Sequence, residues 1–192
     1  MLAAKLSEYS KNIQECFNEV DVEKVQRAAE RLLAIRKCDG TLFIIGNGGS
    51  AATASHMAVD FEKVAGMRVV SLTNVPNITA WGNDVDYESV FSEQLKRQLG
   101  RQGQPADILI AISASGNSPN ILHAAEYARG RSIYTIGFIG FGGGKLKEMV
   151  DIALIISSRN YGVVEDFHLS LNHILSQYLK DAINESVSPS GR

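Results

Sequence analysis

The chain has 192 residues, of which 45% are hydrophobic and 21% charged, and its formal net charge is −2. This length suits a single domain with a sizeable core, and the nearly neutral charge argues against a nucleic-acid-binding protein. No apolar run approaches the roughly 18 residues of a membrane span, and the isolated Cys16 and Cys38 match no metal or disulfide spacing. We therefore predict one cytoplasmic domain over residues 1–192, with neither nucleic acid nor a membrane as partner.

Two amphipathic helices are predicted first, at about 3–18 and 21–38. After Asp39 and Gly40 the pattern changes to short apolar runs, which are typical of buried parallel strands. These runs lie at 41–46, 68–73, 107–113, 132–140 and 151–157. Helical segments are predicted at about 50–65, 86–99, 118–130, 144–149 and 164–184, before a polar tail at 185–192. The alternation over 41–184 predicts an α/β fold in which a five-stranded parallel sheet is flanked by helices in three αβα layers.

The first predicted strand ends in a glycine-rich turn, GNGGS (46–50), which opens a helix. Glycines at such a position let the backbone direct N–H groups at an anion, and the helix N-terminus adds positive charge. The turn lacks the lysine of a Walker A loop and the third glycine of a dinucleotide loop, so no nucleotide is predicted. By itself it fits either an anion site or a plain connection from strand to helix.

A serine-rich loop, SASGNS (113–118), follows the third predicted strand. Its hydroxyls and its glycine stand at the start of a helix, where they could hold a phosphate without Lys or Arg. Because the carboxyl ends of parallel strands meet at one edge of the sheet, two such loops together predict an anion site there. Each loop alone could be an ordinary turn, and WGND (81–84) and FGGGK (141–145) are interpreted as a turn or helix cap and a structural turn.

Possible metal ligands or proton carriers come from two predicted helices. His56 and Asp60 are four residues apart and share one face, so they could ligate zinc, act as a catalytic pair, or form a plain surface pair. Glu165 and His173 are eight residues apart on the last helix, which is about 12 Å, whereas zinc ligands lie about 2 Å from the ion. Either Glu165 lies in the loop before the helix, or the two residues serve sites in different subunits. His168 is assigned no ligand role.

The ordered motifs GNGGSAA, SHMAVDF, WGND, SASGNS and VVEDFHLSLNHI resemble those of the sugar isomerase (SIS) domain family, and more closely its phosphoheptose isomerases. The resemblance covers nearly the whole chain. It implies a homotetramer with active sites at subunit interfaces and one Zn²⁺ per subunit. It also implies conversion of sedoheptulose 7-phosphate to D-glycero-D-manno-heptose 7-phosphate, the first step of bacterial heptose synthesis for lipopolysaccharide or capsule.

The resemblance further implies roles for individual residues. The implied catalytic residues are Asp60 and His173. The implied substrate contacts are Asn47, Gly48, Gly49, Asp60, Asn83, Asp84, Ser113, Ala114, Ser115, Ser118 and Glu165. The implied metal ligands are His56, Asp60, Glu165 and His173.

Three positions depart from the family's usual residues: Asp60 stands for Glu, Glu165 for Gln, and Ala114 for Thr. These departures leave open an isomerase of a different sugar phosphate. The other alternative is a non-catalytic module that binds phosphosugars or a protein. The acid at position 60 and both histidines count against this last alternative, because a pure binding module would not need them.

Overall fold

A computed structural model of the chain describes residues 1–99 and 107–187. In these ranges the strands form one parallel sheet in the order β2-β1-β3-β4-β5. The strands are β1 Thr41–Gly46, β2 Arg68–Ser71, β3 Ile108–Ser113, β4 Tyr134–Ile139 and β5 Ile152–Ile155. The predicted five-stranded parallel sheet is therefore confirmed.

The helices lie before, between and after the strands. They are α1 Leu2–Glu19, α2 Val22–Lys37, α3 Gly49–Ala65, α4 Val75–Asp84, α5 Val90–Gln98, α6 Pro119–Gly130 and α7 Tyr161–Val187. Among the helices described, none combines the length and the apolar composition of a membrane-spanning segment. Helix α7 continues through 185–187 of the predicted tail, whose remaining residues, 188–192, lie outside the described ranges.

Two connections differ from the sequence prediction. The segment after β2 was interpreted as a loop with a turn or cap at WGND, but it forms α4. Its start carries a cap and a proline: the Asn74 side chain accepts a hydrogen bond from the backbone N–H of Asn77, and Pro76 lies in the first turn. The predicted helix at 144–149 is only a 3₁₀ turn, Leu146–Glu148, because the preceding glycines at 142–144 all have positive φ.

The three central strands, β1, β3 and β4, are buried on both faces of the sheet, which explains why they read as continuous apolar runs. Alternate strand residues point to opposite faces. On β1, Leu42 and Ile44 join a cluster that contains residues of α2, α3 and α7. Phe43 and Ile45 join a second cluster, formed with residues of α5 and α6.

Helices α3 and α7 pack against each other on the first of these faces. Met57 and Phe61 of α3 share an apolar cluster with Phe167 and Leu171 of α7. This pairing joins residues more than 100 positions apart in the chain, such as Phe61 and Phe167. It therefore brings together side chains whose proximity the sequence alone does not reveal.

One face of α7 carries buried polar side chains within this apolar layer. They are His168, Asn172 and Ser176, which recur every four residues and are at most 5% exposed. Burial lowers the pKa of His168 to about 3, so its ring is neutral at physiological pH. Burying polar side chains in an apolar layer costs free energy unless they form hydrogen bonds.

Candidate active site

The glycine turn places Asn47 at the carboxyl end of β1. Asn47 and Asn120 exchange two side-chain amide hydrogen bonds of 2.9 Å each. The Tyr87 hydroxyl also donates to Asn47 Oδ1 at 3.0 Å. Because an amide nitrogen carries two hydrogens, Asn47 keeps one donor for a ligand while its orientation is fixed from two sides.

The serine loop is stabilised by its own hydrogen bonds. Ser113 Oγ accepts from the backbone N–H of Gly116 at 3.1 Å, and Ser115 Oγ accepts from that of Asn117 at 3.2 Å. Ser118 is the N-cap of α6, but its side chain makes no capping bond. A hydroxyl that accepts one bond still has its own O–H to donate. The loop can therefore offer hydroxyl donors, together with the N-terminus of α6, to an anion.

A cavity of about 90 Å³ joins the two loops. Its lining consists of Asn47, Ser50, Ile112, Ser113, Ala114, Ser115, Ser118, Tyr161 and Glu165. Among the residues that the structure describes, no lysine or arginine belongs to this lining. The cavity suits a small anion that is bound by hydroxyl, amide and helix-terminal N–H groups.

Glu165 brings a negative charge to this cavity. Its carboxylate lies so close to Gly49 that a Cβ built there would approach it to 2.2 Å. A residue larger than glycine at position 49 would therefore displace the Glu165 side chain. The carboxylate lies at the N-terminal end of α3, where the helix dipole favours a negative group.

A second group of polar side chains lies where α3 packs on α7. Asp60 Oδ2 is 3.3 Å from His56 Nε2 and 3.7 Å from His173 Nε2. The two Nε2 atoms are 3.0 Å apart. The side chains of His56 and His173 are 52% and 44% exposed, so solvent or a ligand can reach both rings. We call these three residues the His–Asp–His cluster.

The donor set of this cluster fits a zinc ion. His56, Asp60 and His173 each offer one ligand atom, and these atoms lie within 4.8 Å of one another. In a tetrahedral site with bonds of about 2.0 Å, ligand atoms are about 3.3 Å apart. The observed separations of 3.0, 3.3 and 3.7 Å bracket that value. Two imidazoles and one carboxylate leave a fourth position for substrate or water, as in catalytic zinc sites.

Glu165 lies outside the His–Asp–His cluster, although it was predicted as a fourth ligand. Both Glu165 and His173 belong to the regular helix α7, so Glu165 does not lie in a preceding loop. The alternative that places Glu165 in a preceding loop is therefore wrong, and the alternative in which the two residues serve sites in different subunits stays a prediction. Within one subunit, Glu165 faces the cavity at the serine loop.

Asn83 and Asp84 lie at the C-terminal end of α4 and are exposed. Asn83 Nδ2 donates to Asp84 Oδ1 at 2.9 Å. Neither residue lines the cavity at the serine loop. The structure of one subunit therefore does not bring them together with the other predicted substrate contacts, and their role stays a prediction.

Three residues near these groups were missed by the sequence analysis. Asn120 and Tyr87 hold the Asn47 side chain, and Asn172 Nδ2 donates to Asp60 Oδ2 at 2.7 Å. Asn172 had a signal, since it recurs at four-residue spacing with the polar residues His168 and Ser176 in a helix rich in apolar residues. Asn120 and Tyr87 had none, because their partner is distant in the chain.

Comparison with known proteins identifies the class. Residues 7–140 match the model of the SIS domain family, and the chain belongs to that family, as its motifs predict. It is 38% identical to a phosphoheptose isomerase of Trichlorobacter lovleyi over 174 residues, which are 88% of this chain and 87% of the relative. It is 35% identical to that of Rhodospirillum rubrum over 167 residues, or 83% and 86%. The phosphoheptose isomerase structure from Neisseria gonorrhoeae matches with a TM-score of 0.83 and 34% identity, over 94% of this chain and 97% of that one.

Proposed function

We propose that the protein is an aldose–ketose isomerase that converts sedoheptulose 7-phosphate to D-glycero-D-manno-heptose 7-phosphate. The observation that carries the proposal is the His–Asp–His cluster, whose His56 and Asp60 lie on α3, the same helix that begins at the anion cavity. Gly49 and His56 are about 10 Å apart along this helix. A seven-carbon sugar phosphate likewise separates its phosphate from the reacting C1 and C2 atoms by most of its length. The relatives named phosphoheptose isomerases support the same substrate.

The reaction moves one proton between two carbons and another between two oxygens. In the proposed mechanism, Asp60 removes a proton from C1 of the ketose while His173 donates one to O2, which gives an enediol. Asp60 then returns its proton to C2, and His173 takes the proton from O1, which leaves the aldehyde. Both groups regain their starting protonation states. The short distance between Asp60 and His173 supports this division of roles.

The serine loop and the glycine turn would position the substrate. The hydroxyls of Ser113, Ser115 and Ser118 and the amide of Asn47 would donate to the phosphate. Anchoring the phosphate restricts the sugar chain and holds C1 and C2 against the base, which contributes to the rate through orientation. Ala114 supplies no hydroxyl, so any contact it makes to substrate would come from its backbone.

We propose one zinc ion per subunit, held by His56, Asp60 and His173. Glu165 would join as the fourth predicted ligand only if it came from a neighbouring subunit. When bound, the ion would take the place of the proton on His173 Nε2 and would polarise the oxygens at C1 and C2 as a Lewis acid instead. The donor chemistry and the spacing of the cluster support this proposal.

We also propose that the active sites lie at the interfaces of a homotetramer in the cytoplasm, serving lipopolysaccharide or capsule synthesis. Exposed apolar side chains next to the cluster support an interface there. Val59, Ile174 and Tyr178 are 57%, 46% and 41% exposed. Large apolar side chains that are exposed on the paired helices α3 and α7 are candidates for burial in such an interface. Light scattering coupled to gel filtration measures the oligomeric state, and a monomer would contradict the proposal.

The decisive experiment is to incubate the purified protein with sedoheptulose 7-phosphate and detect the aldose product by mass-resolved chromatography or NMR. We expect turnover that a chelator reduces and added zinc restores. A parallel panel of C5, C6 and C7 ketose phosphates separates the proposal from the alternative of a different sugar phosphate. Binding without turnover on any of them would instead identify a non-catalytic phosphosugar-binding module.

A further inference from the structure

Asn172 occupies a costly position. Its side chain is completely buried, and among the described residues its Oδ1 atom has no hydrogen-bond partner. A buried polar atom without a partner costs free energy, so an amide in this apolar layer requires a compensating interaction. Its Nδ2 atom makes one, a 2.7 Å hydrogen bond from α7 to Asp60 on α3.

This bond determines how the Asp60 carboxylate is oriented. Asn172 Nδ2 and both histidine Nε2 atoms approach the same oxygen, Oδ2, at 2.7, 3.3 and 3.7 Å. Among the described residues, the hydrogen bonds and ion pairs of Asp60 thus all involve Oδ2, and Oδ1 remains for another partner. A carboxylate rotates easily, which would exchange its two oxygens. A donor that is fixed in the core can hold Oδ2 toward the histidines and leave Oδ1 for a different partner.

We propose that Asn172 is a positioning residue, which holds Asp60 Oδ2 toward the two histidines and presents Oδ1 to the substrate as the base. For its catalytic consequence the inference rests on the proposed function. It also accounts for the shorter acid at position 60: the buried amide fixes a carboxylate that extends one methylene less than the family's usual Glu.

The test replaces Asn172 by Leu, which is similar in size but has no donor. We expect kcat for sedoheptulose 7-phosphate to fall about tenfold to a hundredfold, as is typical when a residue that orients a first ligand is lost, while KM changes less than threefold. Ser176→Ala is the matched control, since Ser176 is buried one turn further along α7 and, among the described residues, its hydroxyl donates to the backbone carbonyl of His173. We expect this control to retain its kcat.

A crystal structure of the metal-free Asn172→Leu protein gives a readout that does not depend on activity. We expect the Asp60 carboxylate to rotate away from its wild-type position while α3 and α7 stay in place. If this variant does not fold, Asn172→Ala removes the same donor without adding apolar bulk, and the same two results are expected of it.

The outcomes separate the two proposals. An unmoved carboxylate together with an unchanged kcat would overturn the positioning role and leave the proposed function standing. The proposed function alone would be overturned if the wild-type protein did not isomerise the substrate while the Asp60 carboxylate was displaced in the variant. A double variant with Asp60→Glu adds a further check. A purely structural role predicts that Asn172→Leu lowers kcat by the same factor whether residue 60 is Asp or Glu. A positioning role predicts that kcat falls by a smaller factor when residue 60 is Glu.

Discussion

The anion cavity and the His–Asp–His cluster are built in opposite ways. The cavity is made largely of loop backbone and short hydroxyl side chains that are hydrogen-bonded within a few residues of one another. The cluster is made of long polar side chains on two helices, and residues 117 positions apart form its closest contact. Local turns therefore determine the shape of the cavity, whereas helix packing determines the geometry of the cluster.

This difference separates binding from chemistry. Changes in the loops should act mainly on the affinity for the phosphate, and so on KM. Changes in the cluster should act mainly on kcat, because they alter groups that act on C1 and C2. Four substitutions test the comparison.

Asp60→Asn should have the largest effect. The amide has the same shape as the carboxylate but cannot accept the C1 proton, so we expect kcat to fall by about three orders of magnitude with substrate binding retained. Asp39→Asn is a control, since Asp39 is an exposed acid in the turn before β1 and its left-handed backbone suits Asn. Steady-state kinetics and calorimetric binding measure both quantities. Retained turnover in Asp60→Asn would contradict its role as the base.

Gly116→Ala should damage the cavity instead. A Cβ at Gly116 would lie 2.2 Å from the carbonyl oxygen of Gly143, so the serine loop and the glycine turn at 141–144 must separate. We expect KM to rise about tenfold or more, with a smaller change in kcat. Gly142→Ala is matched to it, because Gly142 also has positive φ but a Cβ there meets nothing within 4 Å. Equal losses in both variants would show that backbone strain, and not loop separation, is responsible.

Glu165→Gln should change the same cavity in a way that lowers KM, whereas Gly116→Ala raises it. Removing the carboxylate from the lining removes its repulsion of the phosphate, which amounts to about 1 kcal/mol for each unit of phosphate charge some 4 Å away in water. For a phosphate with one to two charges we expect KM to fall by about fivefold to thirtyfold at low salt, and less at high salt because of screening. A rise in KM would indicate that Glu165 binds the substrate or its metal directly.

His168→Phe should leave catalysis at neutral pH nearly unchanged and alter stability in acid. The folded pKa of about 3 lies below the ordinary value of 6.5, so the unfolded chain takes up a proton first as the pH falls. His168 therefore lowers the free energy of unfolding progressively below pH 6.5, by about 2 kcal/mol at pH 5. We expect the variant to lose less stability between pH 7 and pH 5 than the wild type, as measured by urea unfolding. If the variant and the wild type lost the same stability between pH 7 and pH 5, His168 would not be buried as a neutral ring.

Much of the fold follows from the sequence because its signals are local. The central strands β1, β3 and β4 read as apolar runs of six residues, and burial on both faces of a parallel sheet is the physical cause. The serine loop was also found from sequence, since its hydroxyls and its glycine lie within six residues of one another. Helix α4 was missed because the WGND motif at its end was taken for a turn, although its Asn74 cap and Pro76 are local signals.

The sequence by itself determined the alternation of strands and helices, the family, and the two helical positions of His56 and Asp60. Only the tertiary structure decided which side chains meet. It placed His173 beside His56, and Glu165 at Gly49 and not in the His–Asp–His cluster. It also set the buried Asn172 against Asp60. The reason is that periodicity specifies the face of a helix on which a residue lies, whereas the neighbour of that face depends on how α3 and α7 pack on the sheet.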